Sequence, residues 1–355
     1  MAQQMKVYMN EQPECWKKIL TSPLPLTPEA CQLLRRPFSH LLLFGSGSSY
    51  FAGQIARSFL ETYCGIQTTV LTPSELEKQS GFFSPETTLA LALSQSGKSV
   101  TTLEGMDALQ RGGFSILALT ADAESEIAQK AQGHLKIGCG PETVGPKTKG
   151  MTATVLTLYR LGLDQFSSFS AAQKEEILSH LEQAAAAGEE NLRLSQEFFL
   201  SHEKFFTDPN VLFVIADEEA YPACQEGALK LLETLYLPVQ TAEMEEYTHG
   251  LQNTIQPGLH QILVVSGEKQ ASRMARLNHY QTEKGCVNIV LSSVPEFSGE
   301  NVLSLAHTGF EYTVFMEILP AFHVFSALGS EARGINCDRP KFHDFYHVMD
   351  TKLNS

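Results

Sequence analysis

The chain has 355 residues, 43% of them hydrophobic and 19% charged. This composition suits a folded protein with a substantial core and excludes a disordered, collagenous or rod-like chain; at ~150 residues per domain it suggests about two domains. Lys and Arg number 26 against 40 Asp and Glu, a net charge of −14, which repels phosphate backbones and anionic bilayers and argues against nucleic-acid or membrane binding. Uninterrupted apolar runs, such as 89–93, fall far short of the ~20 residues of a membrane span, and the first residues lack an apolar segment of signal-peptide kind. Seven scattered cysteines (15, 31, 64, 139, 224, 286 and 337), with no C-x-x-C pair and no zinc spacing, read as reduced thiols of a cytoplasmic protein.

In chain order, the run HLLLF (40–44) meets the turn GSGSS (45–49), and a helical pattern follows through Tyr50, Ala52, Ile55, Ala56, Phe59 and Leu60. A β-branched stretch (68–71) precedes a second run (89–93), the turn SQSGKS (94–99) and helical spacing at Val100, Leu103, Met106 and Leu109. A further run, FSILALT, occupies 114–120. Short buried runs alternating with amphipathic helices predict βαβ units and a parallel sheet. Residues 150–200 read as helices, with the Ala- and Glu-rich part as a partly solvated connector. The order then returns: a run at 210–216, a helix at 220–236, a run at 261–267, a helix near 270–284 and a run at 286–293. Tyr50-x-Ala52-x-Gln54 resembles Tyr221-x-Ala223-x-Gln225, and Leu60-Glu61-Thr62 resembles Leu232-Glu233-Thr234, which points to a duplicated unit. The expected domains are 1–190 and 191–355.

Two turns in the first half have the composition of an anion cradle. GSGSSY brings Ser46, Ser48 and Ser49 with close-approach glycines, and SQSGKS brings Ser94, Gln95, Ser96 and Ser99 around Gly97. Hydroxyls and free N–H groups at a helix N-terminus can hold a phosphate dianion without an arginine. Tyr50 stands where a dinucleotide fingerprint needs its third glycine, and no Walker lysine follows either turn. A Ser-capped strand–helix turn explains one such motif alone; two in successive βα units favour a small phosphorylated ligand.

The second half carries EGALKLLETLY. Glu226 and Lys230, four apart, are expected to form an ion pair. Glu233 falls beside an apolar stripe, where a carboxylate can serve as a general base, although most helix-edge glutamates only face water. His249 in EEYTHG sits beside Gly250 in a loop and can transfer protons near neutral pH, or be merely exposed.

Together these segments resemble the sugar isomerase (SIS) family, specifically the isomerase half of glucosamine-6-phosphate synthase and the related fructosamine-6-phosphate deglycases. VYMNEQPECWKKIL, GSGSSY, SQSGKS, PETVGPKTKGMT and EGALKLLETLY with EEYTHG follow the family's order, with sixteen residues from Glu233 to His249. The resemblance implies an α/β fold of two doubly wound SIS domains, each a five-stranded parallel sheet flanked by helices. It implies phosphate contacts from Ser49, Ser94, Gln95, Ser96 and Ser99. Gly47, Ser48, Glu142, Thr148 and Lys149 are implied to line the same substrate cleft. Glu233 is implied as the base that moves a proton between C1 and C2 of an open-chain sugar phosphate. Lys230 is the charged residue beside it, and His249 opens the ring from the neighbouring protomer of a homodimer. No metal or cofactor is implied.

Three departures bear on the substrate. The chain opens at the isomerase segment without the glutamine-hydrolysing domain, Lys98 replaces an acidic residue, and Asp338-Arg339-Pro340 keeps the family's D-x-P while Phe345 stands where its substrate lysine is expected. Lys341 and Lys352 are the nearest lysines. The expected function is a phosphosugar isomerase, deaminase or deglycase. The alternative is a non-catalytic phosphosugar sensor, disfavoured because a sensor needs neither Glu233 nor His249.

Overall fold

The computed structural model describes residues 3–294, 297–342 and 344–351. The chain forms two compact units. The first comprises Glu14–Thr143, Lys149–Leu178 and the segment from Pro340; the second comprises the N-terminal residues to Pro13, Val144–Thr148 and Ser179–Arg339. The division falls within the long helix Ala171–Ser201.

The first unit holds β1 (His40–Phe44), β2 (Gln67–Leu71), β3 (Thr88–Leu93), β4 (Ser115–Thr120) and β5 (Gly133–Lys136). All pair in parallel in the order β2-β1-β3-β4-β5. TLALAL and SILALT are buried at every position, so they show no alternation, as central strands covered on both faces do not. The chain leaves β1 for β2 on one side and reaches β3 on the other, so the β1/β3 boundary is the topological switch point, outside whose carboxyl ends ligands bind in open α/β sheets. The helix Lys149–Gln165 is buried from Lys149 to Leu163. Its threonines satisfy their hydroxyls locally, Thr154 on the Gly150 carbonyl and Thr157 on that of Ala153, both at 2.7 Å.

The second unit repeats the plan with β6 (Leu212–Ala216), β7 (Val239–Glu243), β8 (His260–Val265), β9 (Val287–Ser292) and β10 (Val302–Ser304). These are again parallel, in the order β10-β9-β8-β6-β7. Read from β6, this is the topology of the first sheet, with its switch point at β6/β8. The expected fold, two five-stranded parallel sheets flanked by helices, is the one found. The repeated Tyr-x-Ala-x-Gln text falls on corresponding helices, Ser48–Thr62 after β1 and Tyr221–Leu235 after β6. The strands that periodicity passes over are β5, β7 and β10, all at sheet edges and short or polar.

The segment Glu311–Ala332 is long and apolar enough to cross a membrane by length and composition, and 94% of its apolar 18-residue stretch is buried. Uninterrupted-run counting misses it because Glu317 and His323 break the pattern. Its helix, Val314–Ala332, packs on Tyr221–Leu235 so closely that a Cβ on Gly227 would collide with the Phe322 ring. All seven cysteines are free, and all but Cys31 are buried.

Candidate functional site

At the first switch point the turns after β1 and β3 are in contact. A Cβ on Gly45 would lie 2.7 Å from the Leu93 carbonyl oxygen and 3.0 Å from Ser49 Cβ, so only glycine lets the two turns approach. Gly47 takes φ +57° and is the N-cap of the helix Ser48–Thr62, with no side-chain cap hydrogen bond among the described residues. Ser46 and Gly47 are exposed, and Ser48 and Ser49 half-buried. The first-turn donors of an uncapped helix suit an anion.

The turn after β3 is more internally committed. Buried Ser94 accepts from the Gly97 N–H at 3.2 Å. Gly97 has φ +68°, and a Cβ there would collide with Ser125. Ser99 caps the helix Val100–Arg111, accepting from the Thr102 N–H at 3.4 Å and the Thr102 hydroxyl at 3.0 Å. Ser96 is exposed and Lys98 half-buried. Gln95 Oε1 is buried with no hydrogen-bond partner among the described residues.

The loop after β5 folds back onto Gln95. The Glu142 carboxylate accepts from the Gly150 N–H at 2.9 Å. A Cβ on Gly150 would meet Glu142 Oε2 at 2.7 Å and Gln95 Cγ at 2.8 Å. Glu142 and Lys149 are both nearly inaccessible. Burial pushes the Cys139 thiol up to about 11 and that of Cys15 up to about 12; Glu142 adds to both shifts and Lys149 opposes them. Gln95, Glu142 and Lys149 thus come together in one buried polar cluster. Thr148, also buried, packs with the second unit instead.

In the second unit, Tyr221–Leu235 carries a buried charge array. Lys230 is 1% exposed; its Nζ lies 3.5 Å from Glu226 Oε1 and 2.5 Å from Glu233 Oε2. Burial pulls the lysine's pKa down, but the two carboxylates more than offset this and hold it above its ordinary value. The Glu226–Lys230 pair expected from spacing is present, deep in the core. Glu233 is partly exposed, with its carboxylate held by Lys230 rather than lying on apolar surface, and its neighbour Leu232 faces solvent. Behind Lys230 stands His323, fully buried, with neither ring nitrogen hydrogen-bonded among the described residues. Burial and the nearby Lys230 charge lower its pKa to about 3, so it is neutral. Nothing in the pattern of its helix marks His323.

The second switch point is plugged. Asp217, following β6 and buried, accepts from the Ser266 N–H at 2.5 Å, the Ser266 hydroxyl at 2.8 Å, the Gly267 N–H at 3.1 Å and the Ala220 N–H at 3.0 Å. The backbone donors that an external anion would use at β6/β8 are taken by an internal carboxylate.

His249 follows the short helix Met244–Tyr247 beyond the carboxyl end of β7. It is 68% exposed, with Nε2 3.3 Å from Glu245 Oε1, and Glu245 also pairs with Arg273. Glu233 lies at the other end of the sheet, because Tyr221–Leu235 runs back from the carboxyl end of β6 toward the amino end of the parallel strand β7. Within one chain the structure does not bring Glu233 and His249 together. Asp338 accepts from the Gln4 and Met5 N–H groups, both at 3.0 Å, fastening the N-terminal helix Gln3–Asn10. Lys341 Nζ sits 5.6 Å from the Phe342 ring centroid, and Phe345 is exposed; Lys352 lies outside the described residues. No group of three or more His, Cys, Asp or Glu among the described residues is placed to hold a metal ion.

Residues 35–163 match the family model of the SIS domain, which covers the first sheet and its flanking helices; the second parallel sheet repeats the strand order of the first. Over 335 residues, 93% of this chain and 55% of the relative, it is 24% identical to glutamine–fructose-6-phosphate aminotransferase (isomerizing) of Aquifex aeolicus. It is 30% identical to the Halobacterium salinarum protein of the same name over 218 residues, 60% of this chain and 35% of that one. The chain spans about half the length of the curated relatives it matches over most of its own length. The C-terminal domain of glucosamine-fructose-6-phosphate aminotransferase from Francisella tularensis superposes with a TM-score of 0.84 at 21% identity, covering 95% of this chain and 98% of that one, a likeness of fold.

Proposed function

We propose that this chain is a phosphosugar isomerase-type enzyme that moves a proton between C1 and C2 of an open-chain sugar or aminosugar phosphate. The observation that carries the proposal is the Glu226–Lys230–Glu233 array: a buried, doubly paired lysine presents one carboxylate at a partly exposed helix face. The Ser46–Ser49 and Ser94–Ser99 turns hold the phosphate dianion with hydroxyl and N–H donors, and Gln95, Glu142, Thr148 and Lys149 shape its surroundings. Glu233 takes the proton from one carbon and returns it to the next. The Lys230 ammonium holds the carboxylate in place and offsets charge on the enediolate or enediolamine. Phosphate binding anchors a flexible polyol so that its reacting carbon stays near the base.

His249 acts in trans. Its separation from Glu233 along the sheet supports a homodimer in which the histidine opens the sugar ring at the neighbouring protomer's site. The same proton transfer serves a deglycase: a fructosamine 6-phosphate tautomerises through the enediolamine, and water then releases the free amine and the aldose phosphate.

The test is solvent deuterium incorporation at C1 or C2 of fructose 6-phosphate, glucosamine 6-phosphate and fructosamine 6-phosphates, followed by mass spectrometry. Wild-type protein exchanges at least one of them, whereas Glu233→Gln still binds it and does not exchange. Mixing Glu233→Gln with His249→Ala protomers restores part of the lost turnover. Wild-type protein that binds these phosphates but exchanges none of them is a sensor, and the catalytic reading then fails.

A further inference from the structure

A cavity lies in the first unit, beyond the edge strand β5. It encloses about 300 Å³ and is lined by Lys18 and Ile19, Leu24 and Pro25, and Lys136 and Ile137. That volume is in the range of small-ligand pockets. Ile19 and Ile137 are buried within it, and the buried Thr157 at its floor has already spent its hydroxyl on the Ala153 carbonyl. The pocket floor therefore offers apolar surface and little hydrogen bonding. Its rim is different. Lys18 and Lys136 are exposed, and among the described residues neither has a carboxylate within ion-pair distance. In a chain with a net charge of −14, two unpaired ammonium groups over one apolar pocket are a local reversal of sign.

Held segments make the wall. Lys136 N–H donates to the Pro25 carbonyl at 3.1 Å, and the Arg160 guanidinium fastens the other side by donating to the carbonyls of Ile19 and Leu20. A Cβ on Gly138 would stand 3.1 Å from Ile19 Cγ1, so glycine keeps the pocket open at that point.

We propose that this cavity is a binding site for a small amphipathic anion, an apolar body carrying one carboxylate, with the body on Ile19, Leu24 and Ile137 and the carboxylate between Lys18 and Lys136. The phosphate turns and the Glu233 array take no part in it, so it stands or falls independently of the isomerase proposal.

The probe is octanoate, followed by calorimetry and by the methyl resonances of Ile19 and Ile137 in the full-length protein. Octanoate binds saturably and moves both methyl signals. Octanol, which lacks the charge, and acetate, which lacks the body, bind at least about tenfold more weakly. Lys18→Glu with Lys136→Glu weakens octanoate about tenfold while the melting temperature stays near that of the parent, as expected for exposed side chains. Octanoate binding that leaves the Ile19 and Ile137 methyls unmoved, equal affinity for octanol, or undiminished affinity in the double variant overturns the proposal.

Discussion

The two units share a strand order and differ in what fills the same places. At β1/β3 two glycine-relieved turns meet, and the exposed and half-buried serines between them leave room for an external anion. At β6/β8 the equivalent donors close on Asp217. The corresponding helices diverge in the opposite sense. Glu61, in the last turn of Ser48–Thr62, accepts from the Thr68 N–H and pairs with exposed Arg57, whereas Glu233 is held by a lysine inside the core. One topology therefore carries an open anion turn with an inert glutamate in the first unit, and a closed turn with a charged, pre-positioned glutamate in the second. Fold alone specifies neither.

Four substitutions bear on this contrast. Lys230→Met leaves Glu226 buried without its cation, and a broken buried pair costs about 3–5 kcal/mol; chemical denaturation measures it, and a loss near zero means the array is not the internal pair described. Asp217→Ala orphans the donors after β8 and lowers unfolding free energy by about 2–4 kcal/mol. Inorganic phosphate then recovers part of that loss in the variant through the second unit, and a variant indifferent to phosphate shows that the two switch points differ in more than the plug. The third concerns acid. His323 has a folded pKa near 3 against 6.5 for an ordinary histidine. Below about pH 6.5 the unfolded chain binds the proton first, so its stability contribution is whole above that value and falls by about 1.4 kcal/mol per pH unit toward pH 3. Unfolding titrations at pH 7 and 5 detect this as a slope that His323→Leu removes. The smallest effect belongs to the first unit: Arg57→Ala breaks a largely exposed pair and changes stability by less than about 0.5 kcal/mol. A larger loss would show Glu61 to depend on its cation as Glu233 does.

Much of the fold was legible because its central strands are continuous apolar runs and its helices amphipathic. Edge strands such as VQTAE at β7 carry no apolar run to mark them, since an edge strand buries little and need not be apolar. Serine-glycine turns and the Glu226–Lys230 spacing were visible because their chemistry is local. His323 and Asp217 were not, because their meaning comes from what another element brings: Lys230 from the facing helix, Ser266 and Gly267 from the turn that follows β8. Gln95 was found as a turn residue, but its contact with the Glu142–Gly150 loop depends on where β5 ends, and β5 was missed.

Asp217 also sets a difference in how the halves hold together before any ligand arrives. With its own carboxylate standing in for a guest, the trailing sheet has its loop amides satisfied from the moment it folds, so Ser266 and Gly267 should exchange their amide hydrogens slowly whether or not phosphate is present. The leading sheet has no such carboxylate at its turn among the described residues: the Ser49 N–H already donates to the Ser46 carbonyl at 3.2 Å, while the amides of Ser46, Gly47 and Ser48 should gain protection only when an anion comes from outside.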